Sequence, residues 1–393
     1  MPASRSPAWS TADGYSSPAK RGIVSEAAVR ALPYVIGGLA AAALIAYLAT
    51  PLAGRIATRF GAVDQPGAAR RVHVLPIPRA GGLAVGLAFL VVGLVLIYLA
   101  ASDGIPLSTG SLTENELAVL FGGVALAMGF GFLEDVVQLR ARWQLAFQLV
   151  LAGVAVIGGV TIVAVNNPFG GGLIIFTTPF AVLFTILWIV GMINSINFID
   201  GLDGLSSGVA IIAALTLGVI SMTTGFDQPE IALLCAILVG SLLGFLPRNF
   251  HPAKIFIGTT GVYLVGFALA VLSILGTAKV AVALLVLGVP IIDTFWIIVR
   301  RVAAGQSPFT PDRGHLHHRL LDLGLDHRDV VLVIYGICGV LAVLSLVLSG
   351  TGQLTAFVGV VILLGAFLFV VTRRTTDALE ASTYEDEEAE QAG

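Results

Sequence analysis

Eleven apolar stretches recur along this chain, beginning near Pro33, Gly81, Asn115, Trp143, Thr178, Leu205, Glu230, Ile257, Val280, Val330 and Thr355. A helix needs about 20 mostly apolar residues to cross the hydrocarbon core of a bilayer, and inside that core its backbone has to satisfy its own hydrogen bonds. The pattern predicts an all-α polytopic membrane protein of about eleven transmembrane helices, with the spans at Thr178 and Glu230 short. Composition agrees, because 57% hydrophobic and 11% charged residues lie far from the soluble range.

The distribution of Lys and Arg sets an expected orientation. Sixteen fall in alternate loops and the C-terminal tail, including Arg55, Arg59, Arg70, Arg71 and Arg79 in the first loop, against Lys279 alone in the opposite-side loops, while the N-terminal tail carries Arg5, Lys20, Arg21 and Arg30. Positive residues favour the cytoplasm. The expectation is an N-terminus outside and a C-terminus inside. Asn166, Asn167, Pro168 and Gly170 to Gly172 mark a turn before β-prone residues, so a small external β-hairpin is expected near 166–177.

Residues 1–30 carry no apolar run and read as a disordered tail, 31–374 as the integral membrane domain, and 375–393 as an acidic disordered tail. That acidic segment supplies most of the net charge of −3, so the net charge carries no sign of a nucleic-acid partner, and none is expected. Cys235 and Cys338 lie inside apolar runs and suit packing rather than a disulfide framework or a metal site.

Polar chemistry is concentrated in the loops assigned to the cytoplasm. Glu134 and Asp135 follow the third apolar run, and Asn194, Asn197, Asp200 and Asp203 recur at intervals of three around Gly201 and Gly204. Neighbours at that spacing share a helix face. Grouped carboxylates repel unless a cation stands between them, and a hard ion such as Mg²⁺ would also bridge to a pyrophosphate. The bland alternative is a set of solvated acids at helix ends. Charged groups at membrane spans are functional by default, and that rule favours a site at the Asn/Asp cluster.

A basic loop holds Arg313, His315, His317 and His318. A zinc site would need a fourth ligand, and with four Arg nearby a phosphate or nucleotide pocket fits better. An anionic-lipid surface is the other reading. His73 and Arg79 in the first loop and Lys254 in the fourth extend the basic theme. Asp293, seven residues before Arg300, reads either as half of an ion pair or as a substrate contact.

Together these blocks resemble the polyprenyl-phosphate N-acetylhexosamine-1-phosphate transferases, the superfamily that also holds the phospho-MurNAc-pentapeptide translocase. The matching segments are 64–82, 131–148, 194–208, 244–266 and 290–324, in the family's order. The His-Leu-His-His-Arg-Leu form of the last block is more similar to the branch using UDP-N-acetylglucosamine. The resemblance implies transfer of N-acetylhexosamine-1-phosphate from a UDP-sugar to polyprenyl phosphate with release of UMP, a first membrane step of cell-envelope glycan synthesis. It also implies Mg²⁺, with Mn²⁺ as a substitute, and a bacterial plasma-membrane protein with its site on the cytoplasmic face. Whether it works as a monomer or a homodimer stays open.

On that resemblance Glu134, Asp135, Asp200 and Asp203 are the expected catalytic residues, and Asp135, Asp200 and Asp203 the expected metal ligands. Asn194, Asn197, Lys254, His73, Arg79, Arg313, His315, His317 and His318 are the expected substrate contacts. Two departures stand out. The family's paired Asp appears as Glu134-Asp135, and its Met-Gly-Asp-x-Gly-Ser motif appears as Ile257-Gly258-Thr259-Thr260-Gly261-Val262, with a hydroxyl where the family has a carboxylate. A catalytically impaired binder of nucleotide-sugar or polyprenyl-linked ligands is therefore the rival reading.

Overall fold

The computed structural model describes residues 26–65, 76–103, 112–170, 172–223, 227–275, 280–303, 305, 315–348, 350–367 and 369. Both expected tails, 1–30 in all but its last five residues and 375–393 entirely, lie outside them.

Each apolar run forms helix. The long helices are Glu26–Phe60 (α1), Gly82–Asp103 (α2), Glu114–Val137 (α3), Ala141–Ile157 (α4), Thr178–Ile199 (α5), Leu205–Ser221 (α6), Pro229–Asn249 (α7) and Gly258–Leu275 (α8). Val280–Val286 (α9), Gly288–Ala303 (α10), Leu316–Asp322 (α11) and His327–Val347 (α12) follow, then Thr351–Phe367 (α13). Seven of these helices are long and apolar enough to cross a membrane, and α9 with α10 makes an eighth if the pair is one span broken by a 75° bend.

The expected short spans are corrected by the structure. The helices at Thr178 and Glu230 run 22 and 21 residues, whereas α4, α6 and α13 are the shorter ones. Helix length here extends past the apolar core of each run. Polar Asn194 and Asn197 continue α5, and Arg248 and Asn249 continue α7, where Asn194 bonds Gln148, Arg248 bonds Tyr47 O and Asn249 bonds Ser207.

The centre of the fold is α7 and α8, almost wholly enclosed by the other helices. Without water to drive helices together, close packing has to come from small residues. α1 offers the stripe Ala31, Gly38, Ala42, Ala46 and Ala53. A β-carbon on Gly240 or Gly244 of α7 would stand 2.2 or 2.0 Å from the Leu39 or Ala43 carbonyl oxygen of α1, so only glycine permits this approach.

Two short strand pairs complete the structure. Val63–Asp64 (β1) pairs antiparallel with Ile77–Pro78 (β2), and Ala164–Asn166 (β3) with Leu173–Ile175 (β4). Gly170 and Gly172 in the second connection take positive φ of 90° and 102°, which glycine adopts without strain.

Candidate active site

The site is assembled where four loops meet at one end of the bundle. The Phe256 N–H donates to Pro78 O at 2.8 Å, while Gly81 and Gly82 N–H donate to Phe256 and Ile257 O at 2.9 and 2.8 Å. This main-chain pairing joins the first loop to the start of α8. Glycines then let three helices converge: a β-carbon on Gly82 would sit 2.1 Å from Gly261 N, and one on Gly131 would sit 2.4 Å from Thr259 O.

The convergence delivers Asp135, at the end of α3, to the N-terminus of α8. Its Oδ1 accepts from Thr259 N at 2.9 Å and Arg79 Nε at 3.2 Å, and its Oδ2 accepts from Thr260 N at 2.9 Å and Thr260 Oγ1 at 2.6 Å. A carboxylate is well placed there, since the first amides of a helix lack intrahelical partners. Both oxygens of Asp135 are thus engaged by protein. Glu134 differs: Gln144 Nε2 donates to its Oε1 at 3.0 Å, and Oε2 is buried with no hydrogen-bond partner, 3.6 Å from the Arg79 guanidinium.

The Asn/Asp repeat is not one helix face. α5 stops at Ile199, Asp200 is its C-cap, and residues 200–204 form a turn closed by Gly204 at φ 79°. Asn194 remains on α5 in a reciprocal amide pair with Gln148, donating to Gln148 Oε1 at 2.6 Å. The side chain of Asn197 is partly buried at the same helix end. Asp200 Oδ1 accepts from Ser206 Oγ at 2.5 Å, and among the described residues its other oxygen has no hydrogen-bond partner. Burial pushes the Asp200 carboxyl up to about 7, against the Ser206 bond and with the Asp135 and Asp203 charges adding to the rise.

Asp203 faces a different set of groups. Its Oδ2 meets His251 Nδ1 at 2.9 Å and accepts from Ala253 N at 3.0 Å, and its own N–H donates to His327 Nε2 at 3.0 Å. Tyr335 of α12 also donates to Gly204 O, so α12 holds this turn at two points. Among the described residues, Asp203, His251 and His327 are the one group of three such side chains whose ligand atoms lie within 4.8 Å of one another. The expected metal trio of Asp135, Asp200 and Asp203 is not such a group.

Opposite the turn stands α11. Asp293 Oδ2 meets His315 Nδ1 at 2.9 Å and its Oδ1 accepts from Leu316 N at 2.9 Å, so this buried carboxylate both caps α11 and orients His315. The pairing with Arg300 anticipated from spacing gives way to one with a histidine 22 residues on. His315 lies 5.5 Å from the Phe198 ring and is stacked on His317 at 5.6 Å, while the His318 ring is tilted by 46° against His317 at 4.4 Å. His317 Nε2 is buried without a hydrogen-bond partner, against Gly201. Burial first, then the neighbouring His318, His315 and His327, hold His317 well below the usual imidazole range, so it is neutral.

The structure thus brings Arg79, Glu134 and Asp135 together, with Arg79 and Asp135 within electrostatic reach of Asp200, and sets His317, with His315 beside it, against the turn that carries Asp200; Lys254 is exposed. His73 and Arg313 lie outside the described residues. Gln148, His251 and His327 were not anticipated. Gln148 had the signal of an amide, one helical turn after Gln144, in an apolar run, but the two histidines had none in their local sequence.

Residues 117–277 match the family described as glycosyl transferase family 4. Over 327 residues the chain is 36% identical to the probable undecaprenyl-phosphate N-acetylglucosaminyl 1-phosphate transferase of Bacillus subtilis (strain 168), covering 80% of this chain and 85% of that one. The chain belongs to the polyprenyl-phosphate N-acetylglucosamine-1-phosphate transferase family. A decaprenyl-phosphate N-acetylglucosaminephosphotransferase of Mycobacterium tuberculosis (strain ATCC 25618 / H37Rv) is 37% identical over 365 residues, 86% of this chain and 89% of that one. The undecaprenyl-phosphate alpha-N-acetylglucosaminyl 1-phosphate transferase of Escherichia coli O157:H7 is 27% identical over 332 residues, 80% of this chain and 84% of that one. Glu134 and Thr259, the two positions singled out in the sequence, fall close together, since Thr259 N donates to the Asp135 carboxylate next to Glu134.

Proposed function

We propose that the protein transfers N-acetylglucosamine-1-phosphate from UDP-N-acetylglucosamine to a polyprenyl phosphate, releasing UMP and leaving a polyprenyl-diphosphate sugar. The observation that carries this reading is similarity to transferases so named along four fifths of the chain or more. The proposed arrangement is eleven spans in a bacterial plasma membrane. It takes the seven long helices, the bent α9–α10 pair and the shorter α4, α6 and α13, with the site and the C-terminus cytoplasmic. The excess of Lys and Arg on that side supports the orientation.

In this reading the acceptor enters from the bilayer beside α5 and α10, where Leu183, Leu187, Phe295, Val299 and Val302 leave apolar side chains exposed. An oxygen of its phosphate attacks the β-phosphorus of the nucleotide sugar. The bond from that phosphorus to the bridging oxygen breaks, and UMP departs with the bridging oxygen. Phosphoryl transfer depends chiefly on positioning and charge. Arg79 and Lys254 supply positive charge, and His315, fixed by Asp293, presents its Nε2 as a defined acceptor or donor. Asp135 acts through Arg79 and the first turn of α8, because its own oxygens are taken.

Asp200 and Glu134 each keep a carboxylate oxygen without a hydrogen-bond partner among the described residues, and burial raises the cost of an uncompensated charge at Asp200. That donor set fits a hard dication, which commonly takes one or two carboxylates together with substrate phosphate. When bound, Mg²⁺ would neutralise the pyrophosphate as charge develops. A second reading, a catalytically impaired binder of the same ligands, rests on Thr259, whose hydroxyl is a weaker ligand than a carboxylate.

The test is UMP release by the purified protein with undecaprenyl phosphate and UDP-N-acetylglucosamine, with and without Mg²⁺. The transferase reading requires release that depends on lipid and Mg²⁺ and is lost in Asp200→Asn. Nucleotide-sugar binding without release would move the assignment to the binder. Radiolabelled sugar phosphate trapped on the protein in the absence of lipid would replace direct attack by a two-step route.

A further inference from the structure

Asp203 lies on the same turn as Asp200 but has hydrogen-bond partners of its own. With His251 and His327 it makes a cluster of three side chains from separate segments: the turn between α5 and α6, the loop after α7, and the first residue of α12. His251 Nδ1 and His327 Nε2 both face the Asp203 residue, at 2.9 Å from Oδ2 and 3.0 Å from N, and the two rings are stacked at 4.5 Å with 20° between their planes. Ala253 N fixes the carboxylate from a further side. Two imidazoles and one carboxylate form a donor set for borderline transition-metal dications, with a fourth position open to water, rather than for Mg²⁺.

We propose that Asp203, His251 and His327 form a cation site of their own at the edge of the transferase centre. It would take Zn²⁺ or a similar transition-metal dication, which pins the Asp200–Gly204 turn to the loop after α7 and to the start of α12. The proton accounting is simple. The His251 proton moves from Nδ1 to Nε2 on a side chain that is 40% exposed, and the ion takes the lone pair released at Nδ1. His327 Nε2 is already an acceptor, so its ring proton stays on Nδ1. The Asp203 main-chain N–H gives up its acceptor, and ligand bonds replace two hydrogen bonds. The ion would thus strengthen a tie that the metal-free protein already makes, and the site stands whether or not the transferase reading holds.

The experiment uses the full chain in detergent, purified without a polyhistidine tag, treated with chelator and desalted. Co²⁺ is added and its ligand-field absorption followed, then Zn²⁺ or Mg²⁺ is added as competitor. The expected result is one equivalent of Co²⁺, displaced by Zn²⁺ but not by excess Mg²⁺, with affinity weakened about tenfold or more in His251→Ala and in His327→Gln. His318→Ala should bind as the parent does. If His327→Gln does not fold, His251→Ala decides, since its side chain is exposed and not part of the core. Absence of stoichiometric Co²⁺, binding unchanged in His251→Ala, or binding lost instead in His318→Ala would each overturn the proposal.

Discussion

His317 Nε2 occupies the place that a β-carbon on Gly201 would need, only 2.3 Å away. A buried, neutral imidazole nitrogen with no hydrogen-bond partner is thereby held against the turn that carries Asp200. Gly201→Ala should push the two apart at a cost of about 1–3 kcal/mol. Since roughly 1.4 kcal/mol is a factor of ten in rate, UMP release should fall by about tenfold or more if the contact matters in the transition state. Gly191→Ala, where nothing lies within 4 Å, is the matched control and should keep parental turnover. Equal rates in the two variants would remove His317 from the mechanism.

Stability and turnover should separate at the adjacent carboxylates. Asp135 receives four donors with its side chain fully buried, so Asp135→Asn turns one oxygen into a donor facing donors. Breaking a buried charged network of this kind costs about 3–5 kcal/mol, read as a lowered unfolding temperature in detergent. Glu134→Gln keeps the acceptor for Gln144 and should fold with a near-parental melting temperature while losing activity.

His317 also gives a pH dependence. Its folded pKa is depressed by burial, while the unfolded chain protonates near about 6.5. The unfolded state then binds the extra proton, so this residue's share of stability is present above about pH 6.5 and is lost as pH falls toward the folded value. Thermal unfolding followed from pH 8 to pH 5 should show a decline in the parent that is shallower in His317→Gln. Parallel curves would mean that His317 protonates in place.

Thr259 tests the two functional readings against each other. Thr259→Asp puts a carboxylate in the first turn of α8, beside the Asp135 contact. The expected outcome is higher turnover at limiting Mg²⁺, with the difference shrinking as Mg²⁺ is raised, because a carboxylate is a far better ligand than a hydroxyl. A parent with no turnover and a variant with none would leave the binder.

How much of this was legible in the sequence depends on how local each feature is. The helices at Pro33 through Thr355 announce themselves by apolar length, and Gly170–Gly172 by turn chemistry, because both signals lie within a short window. The turn at Asp200–Gly204 misleads, since intervals of three suggest one helix while α5 stops at Ile199 and Gly204, in a left-handed conformation, leads into α6. Asp293 shows the larger gap: periodicity places it near Arg300, but the 75° bend between α9 and α10 accompanies a different partner, His315. The convergence of Asp203, His251 and His327 joins residues 48 and 124 positions apart, and only the packed fold determines it.

The main-chain pairing of residues 78–82 with 256–257 has a consequence for how this protein can vary. Its hydrogen bonds run through backbone atoms, so side chains there can be exchanged without undoing it, proline at a donating position and any replacement of Gly81 or Gly82 apart. An inserted or deleted residue is another matter. A one-residue shift in an extended pairing turns each side chain to the opposite side, and Arg79 would leave Asp135 for solvent. Loop length, more than loop identity, is the quantity this contact constrains.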